Sequence, residues 1–141
     1  MIAIDTNVLL RYLLEDDSGQ LTKAVKLITG KRKVLVTDVV LVETIWTLRG
    51  KKYQLNKAEL VAVIQALFQE PNIRFEDGQV VWTALHDYRK AQPVKGKEAD
   101  FADALIVNKA RHIANKQNQA FDGSYTFDLA AQNLPGAKVP K

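Results

Sequence analysis

Apolar residues are arranged along this chain in two ways, as short continuous runs and as longer stretches with a spacing of three to four residues. The short runs are typical of buried strands, in which both faces of a parallel sheet are covered. One run opens the chain, and a run of Ala and Val near the end is a candidate edge strand. The predicted strands are residues 1–5, 34–37, 73–75, 125–127 and 137–139.

The longer stretches predict six amphipathic helices, each with an apolar face at helical spacing. Polar residues that favour helix N-termini precede four of them: Thr6 with Asn7, then Asp38, Asn56 and Asp77. Gly50 ends the third, and a polar turn at residues 15–17 separates the first two. The faces expected to point inward include Leu21, Ala24, Val25 and Ile28; Val80, Val81, Ala84, Leu85 and Tyr88; and, within the helix at 99–116, Ala102, Leu105, Ile106, Ala110 and Ile113.

The order of these elements, strands alternating with helices, predicts the α/β class. Such an order favours a parallel sheet with helices on both faces. The chain of 141 residues contains no internal repeat, linker or low-complexity segment. A single domain spanning residues 1–141 is therefore predicted, because this length can bury one core.

The composition excludes several classes of protein. With 47% apolar and 26% charged residues, the chain is not typical of disordered or fibrous proteins. The lack of cysteine excludes a disulfide scaffold, a thiolate zinc site and a cysteine nucleophile. No segment has the roughly 18 apolar residues of a membrane span, and no signal-peptide pattern opens the chain. A cytoplasmic protein without membrane contact is expected.

Five carboxylates at the edges of apolar segments are the main candidates for chemistry: Asp5, Glu43, Asp100, Asp103 and Asp128. Asp5 and Asp128 lie at the carboxyl ends of predicted strands, and ligand sites of parallel α/β sheets lie beyond those ends. Asp100 and Asp103 are one helical turn apart, so they share a face. Acids within apolar sequence are rarely buried unless they are paired or bound to a cation.

A hard divalent cation would relieve the repulsion among converging carboxylates, which are the ligands that Mg²⁺ and Mn²⁺ prefer. Such a centre activates water for attack on a phosphodiester. Among the five acids, Glu43 is the simplest candidate to orient that water. The net charge of +4 is weak support for a polyanionic partner. Arg11, Lys95 and Lys97 are near enough in sequence to candidate acids to contact RNA phosphates.

Each acid also has a purely structural interpretation. Asp5 and Asp100 are consistent with helix capping, and Glu43 with a surface glutamate. Asp122 precedes Gly123, which is typical of a turn. No nucleophile elbow or phosphate-binding loop is present, and both histidines are expected at the surface, so acyl transfer and nucleotide triphosphate hydrolysis have little support.

Four segments together resemble the PIN domain, in particular the VapC-type toxins of bacterial and archaeal toxin–antitoxin pairs. They are IDTNVLLRYLL at residues 4–14, LVETIWTL at 41–48, ADFADALI at 99–106 and TFD at 126–128. The resemblance extends from residue 1 to about residue 134. Residues 111–124 depart from the family pattern, being longer and more polar.

The resemblance implies a three-layer α/β/α fold and a Mg²⁺- or Mn²⁺-dependent endoribonuclease. By position, Asp5, Glu43, Asp103 and Asp128 match the family's metal-site acids, and Asp100 matches an additional acid of this branch. Thr6 and Asn7 match the polar pair that supports the first acid. The implied partners are an RNA substrate, a cognate VapB-like antitoxin and a second copy of the chain in a homodimer.

Two other functions remain open at this point. A non-catalytic RNA- or partner-binding module would keep the fold and use the acids only for docking. A magnesium phosphohydrolase acting on small phosphomonoesters is the third, although such enzymes commonly carry a second acid two residues after the first, where this chain has Asn7.

Overall fold

The computed structural model describes residues 1–16 and 18–141. Within them the chain forms two compact units, Met1–Glu76 and Asp77–Lys141. The prediction of a single domain over residues 1–141 stays a prediction. The polar turn predicted at residues 15–17 has Glu15 and Asp16 exposed, and Asp17 lies outside the described residues. Among the helices described, none is both long and apolar enough to span a membrane.

The first unit is a three-stranded parallel sheet with four helices. Its strands are β1 (Ile2–Ala3), β2 (Val34–Val36) and β3 (Ile73–Phe75), in the order β1-β2-β3. Val34 of the central strand pairs with Ile2 on one side and Ile73 on the other. Its helices are α1 (Thr6–Leu14), α2 (Ser18–Ile28), α3 (Asp38–Arg49) and α4 (Lys57–Gln69).

The core of the first unit consists of β2 and the inward faces of the helices. Val34 and Val36 are fully buried, because neighbouring strands and helices cover both faces of the central strand. Each helix contributes at least one residue with no more than 4% exposure: Leu9, Ala24, Ile28, Leu41, Ile45, Leu60 and Ile64. The sequence pattern predicted all four helices. One inward position was wrong, since Val25 of α2 is 37% exposed.

The second unit contains two helices and a small parallel sheet. Its helices are α5 (Gly78–Lys90) and α6 (Phe101–Lys116), and its strands are β4 (Ser124–Tyr125) and β5 (Ala137–Lys138), with a 3-10 turn at Ala131–Asn133. The predicted face of α5 is confirmed, since all five of its predicted inward residues are buried. All strand pairs of both units are parallel within the described residues, which agrees with the predicted α/β class.

The inward face of α6 differs from the prediction. Its buried residues are Phe101, Ala104, Leu105, Val107 and Asn108, and Phe101 packs edge-on against Tyr88 of α5 with ring centroids 6.0 Å apart. Ile106 and Ile113 are 59% and 41% exposed because they lie on other sides of the helix. The prediction that they point inward was wrong. Apolar spacing alone did not distinguish the two faces of this helix.

Four predicted element boundaries were also wrong: the end of β1, the start of α1, the end of β4 and the start of α3. β1 ends at Ala3, where its ladder with β2 stops, so Asp5 is the N-cap of α1 and not the end of a strand. Thr6 and Asn7 are the first helical residues and not the cap. β4 ends at Tyr125, three residues before Asp128.

The start of α3 also differs from the prediction. The N-cap of α3 is Thr37, whose side chain accepts from the backbone N–H of Val40 at 3.4 Å, and Asp38 is the first helical residue.

Candidate active site

Asp5 lies at the start of α1, in an extended conformation that lets its side chain reach the first turn. Its Oδ1 accepts a hydrogen bond from the backbone N–H of Val8 at 3.0 Å. This satisfies one of the donors that a helix start leaves without an intrahelical partner. The side chain is exposed, and its Oδ2 has no hydrogen-bond partner among the described residues. Asp5 therefore caps the helix with one oxygen and has the second available for a ligand.

Glu43 lies on the outer face of α3. Its neighbours Leu41, Thr44 and Ile45 point inward and are buried, whereas Glu43 itself is exposed. Val39 and Trp46 share the outer face and are 66% and 60% exposed. The apolar residues beside Glu43 in sequence thus belong to the opposite face of the helix. The carboxylate bears no burial cost that a cation would have to offset.

Asp100 and Asp103 form a capping box at the start of α6. The side chain of Asp100, the N-cap, accepts from the backbone N–H of Asp103, and Asp103 Oδ2 accepts from the backbone N–H of Asp100 at 2.8 Å. Both residues are partly buried. The predicted juxtaposition of these two acids is confirmed. The positive end of the helix dipole lies at the same place and stabilises negative charge there.

Asp128 lies in the turn after β4. Its Oδ1 accepts from the backbone N–H of Ala131 at 3.0 Å, and its own N–H donates to Thr126 Oγ1 at 3.0 Å. The side chain is exposed, and Oδ2 has no hydrogen-bond partner in the part of the chain that the structure describes. The arrangement repeats that of Asp5, with one carboxylate oxygen used by the backbone and the other available.

The five acids are divided between the units, with Asp5 and Glu43 in the first and the other three in the second. In residues 1–16 and 18–141, no three His, Cys, Asp or Glu side chains are grouped as ligands of one metal ion. The structure brings Asp100 and Asp103 together, and the gathering of all five stays a prediction. As a donor set, carboxylate oxygens fit a hard divalent cation.

Tyr12, on α1, has a raised pKa. Burial, together with a hydrogen bond of 2.8 Å to Glu70 Oε2 and the charges of Glu70 and Glu15, raises the pKa of Tyr12 to about 12. Each of these effects disfavours the phenolate. The pair joins α1 to the end of α4, so it supports the helix that Asp5 caps.

Two polar contacts in the second unit were missed by the sequence analysis. Asn108, only 5% exposed, donates to Asp87 Oδ2 at 2.9 Å and accepts from Arg111 at 3.3 Å. His112 Nε2 lies 2.7 Å from Asp77 Oδ2 and is therefore a partner of the α5 cap and not simply a surface residue. The sequence signal for the first contact was Asn108 itself, an amide that directly follows three apolar residues of α6. Both contacts hold α6 against α5.

Comparisons with known proteins place this chain among characterised folds. The model of the PIN domain family matches residues 2–117. No curated protein matches the chain. Among solved structures, VapC20 of Mycobacterium tuberculosis, described as a sarcin–ricin loop cleaving toxin, is similar at 18% identity and a TM-score of 0.40, over 95% of this chain and 96% of that one.

The family match covers most of the chain, including α1 to α6 and four of the five candidate acids; Asp128 lies beyond it. It confirms the predicted fold class, the three-layer α/β/α PIN-like fold with a mostly parallel sheet. The sequence resemblance noted above is confirmed at the level of the family. The chain belongs to the PIN domain family.

Proposed function

We propose that this protein is a metal-dependent endoribonuclease, the VapC-type toxin of a type II toxin–antitoxin pair, which hydrolyses RNA phosphodiester bonds with carboxylate-bound Mg²⁺ or Mn²⁺. The single observation that carries the proposal is the PIN family match over residues 2–117. Asp5, Glu43, Asp100 and Asp103 all lie within the matched residues. The VapC subtype rests on the four sequence segments that resemble those toxins.

In this proposal Asp5 and Asp103 hold the principal cation, and Glu43 and Asp128 complete the site or hold a second ion. The bound cation would supply positive charge to stabilise the phosphodiester oxygens and lower the pKa of water. Asp5 and Asp128 are suited to the role because each has one oxygen fixed by a backbone N–H. A carboxylate held in this way loses less conformational freedom when it binds an ion.

The remaining residues would position and support the reacting groups. Glu43 would orient the attacking water and accept its proton, for which an exposed carboxylate on a rigid helix is suitable. Asp100, as the N-cap of α6, would hold Asp103 through the capping box. Thr6 and Asn7, in the first turn of α1, would support Asp5 and the RNA.

Two sets of contacts follow from the proposal. Lys95 and Lys97 are exposed and flank Gly96 in a tight turn closed by hydrogen bonds between Val94 and Lys97, so with Arg11 they are candidates for RNA phosphates. A cognate VapB-like antitoxin would neutralise the toxin, and the active form would be a cytoplasmic homodimer. These partners are proposed from the sequence resemblance to VapC-type toxins.

The test uses the Asp5→Asn variant, which removes the charge and keeps an amide that caps helices as well as aspartate does. RNA cleavage in Mg²⁺ or Mn²⁺ is expected to fall by at least about 100-fold, more than the loss usually caused by removing a partner that only supports a metal ligand. RNA binding and the thermal unfolding midpoint are expected to stay close to those of the wild type.

Asp122→Asn is the matched control, since Asp122 is an exposed aspartate in a turn and belongs to no proposed site. It is expected to cleave RNA at the wild-type rate. If the folded wild-type chain bound RNA but cleaved none with either ion, the non-catalytic module would be the correct function. Release of phosphate from a chromogenic monoester, without RNA cleavage, would instead support the phosphohydrolase.

A further inference from the structure

A cavity of about 300 Å³ opens between α1 and α2 in the first unit. Its polar lining comes from Asn7 and Arg11 of α1 and from Gln20 and Lys23 of α2. Val8 and Leu27 are among the apolar residues that complete the wall. The volume is at the small end of the range for ligand sites, about 300–1,000 Å³, which suits a compact group more than an extended segment.

The described lining of the cavity carries positive charge only. Arg11 and Lys23 both contribute to it, and no aspartate or glutamate among residues 1–16 and 18–141 does. Arginine and lysine are the side chains that most often bind phosphate, arginine through its planar set of N–H donors. The two amide side chains add neutral donors. A compact anion is therefore the ligand class that this lining fits.

The guanidinium of Arg11 is only partly used by hydrogen bonds within the described protein. Its Nη1 lies 2.6 Å from Asp16 Oδ1, whereas its buried Nε has no hydrogen-bond partner in the part of the chain described. Asp16 follows Glu15, whose left-handed backbone (φ 55°) turns the chain at the end of α1. The carboxylate of Asp16 thus occupies part of a guanidinium that has a further donor to offer. A buried donor without a partner favours a ligand that supplies the missing acceptor.

We propose that this cavity is a subsite for one backbone phosphate of RNA, held by Arg11 and Lys23 with the ribose against the apolar wall. The subsite rests on the proposed function, because the substrate is the RNA to be cut. Asn7 of its lining is two residues from Asp5 on the same helix start. On binding, the phosphate accepts from the Nε of Arg11, and the Asp16 carboxylate on Nη1 of the same guanidinium competes with it for the positive charge.

The test compares two exposed lysines of α2, Lys23, which lines the cavity, and Lys26, which does not. Binding of a single-stranded RNA oligonucleotide is measured by fluorescence anisotropy in chelator, where metal-dependent cleavage is absent. Lys23→Gln is expected to weaken binding about 3- to 10-fold and to lower the slope of log affinity against log salt by about 0.7, the value for one phosphate contact on a single strand. Lys26→Gln is expected to bind as the wild type does.

Asp16→Asn supplies a change in the opposite direction. Removing the competing carboxylate is expected to tighten RNA binding by a few fold, about 2- to 5-fold, whereas a purely structural Arg11–Asp16 pair would leave affinity unchanged or weaken it. Both Asp16 and Lys23 are exposed, so the variants should fold, and circular dichroism checks that they do.

Three results would overturn the subsite: equal RNA affinity of Lys23→Gln and Lys26→Gln, no gain with Asp16→Asn, or a Lys23-dependent loss seen with polyglutamate but not with RNA. The last result would identify an acidic protein segment as the occupant. The experiments test the phosphate subsite and the nuclease function separately. If the chain binds RNA through Lys23 but cuts none with added metal, the subsite is supported and the nuclease function is contradicted. If the chain cuts RNA but Lys23 does not affect binding, only the subsite is contradicted.

Discussion

Two helices of this protein, one in each unit, begin with the same capping box but with different charge. In α4 the side chain of Asn56 accepts from the N–H of Glu59 at 2.9 Å, and Glu59 Oε1 accepts from the N–H of Asn56 at 3.0 Å. In α6 the corresponding residues are Asp100 and Asp103. Both boxes satisfy backbone donors that a helix start leaves open. Only the second does so with two carboxylates.

A capping box does not need two carboxylates. The α4 box shows that one negative charge is sufficient, since its N-cap is a neutral amide. The helix dipole favours the first charge in α6, but a second carboxylate one turn away repels it. An amide or a carboxylate can serve as the N-cap, so capping does not require the second acid of α6. A divalent cation at this helix end would offset the repulsion, because it attracts both carboxylates.

The largest expected effect distinguishes the two boxes by activity. Asp103→Asn keeps an oxygen that can accept from the Asp100 N–H and removes the charge that a cation requires. RNA cleavage in Mn²⁺ is expected to fall by at least about 100-fold, above the loss typical of a supporting residue. Glu59→Gln makes the matched change in α4 and is expected to leave cleavage unchanged. Equal cleavage rates for the two variants would remove Asp103 from the site.

A smaller effect is expected on stability. Asn56→Ala removes a cap and is expected to lower the free energy of unfolding by about 1 kcal/mol. Asp100→Ala also removes a cap, but it relieves repulsion with Asp103, so its cost in chelator should be lower. Denaturant unfolding measures both values. Repeating it with Mn²⁺ should raise the cost of Asp100→Ala and not that of Asn56→Ala, and an unchanged order would contradict a cation at α6.

The smallest effect concerns Tyr12, which lies outside both boxes. Its pKa is raised from 10.0 to about 12, so the native state favours the neutral phenol and binds its proton more tightly than the unfolded chain. That contribution to stability is complete below pH 10 and is lost as the pH rises towards 12.

Tyr12→Phe tests this pH dependence. At neutral pH it should lower the free energy of unfolding by about 1 kcal/mol, through loss of the hydrogen bond to Glu70. Above pH 10 the difference from the wild type should shrink, because the wild type loses the same interaction. Urea unfolding at several pH values measures the difference, and a constant difference would contradict the raised pKa.

Local sequence signals predicted much of the fold. Asn56 and Asp77 were predicted as caps and are caps, because a short polar side chain before an apolar helical stretch satisfies the open backbone donors wherever the helix packs. The buried face of α5 was predicted for a similar reason. The apolar residues of α5 lie on one face, so only that face can pack against the core.

Features that depend on distant partners were not predictable. The short ladder between β1 and β2 ends at Ala3, and that end makes Asp5 a cap although the apolar run in the sequence extends to Ile4. Helix α6 is apolar on several sides, and its packing against α5 left Ile106 outside. The cavity beside Arg11 exists because α1 and α2 pack against each other, which no local pattern encodes.

Calorimetric titration with Mn²⁺ is the sharpest test of the proposal that Asp103, positioned by Asp100 at the start of α6, binds a divalent cation. Wild-type protein and Glu59→Gln should both give saturable binding with the same affinity. Asp103→Asn should bind at least about 10-fold more weakly, the minimum expected when a group of the metal site is lost. Binding by Asp103→Asn as tight as that of the wild type, or no Mn²⁺ uptake by the folded wild type, would show that Asp103 does not bind a divalent cation.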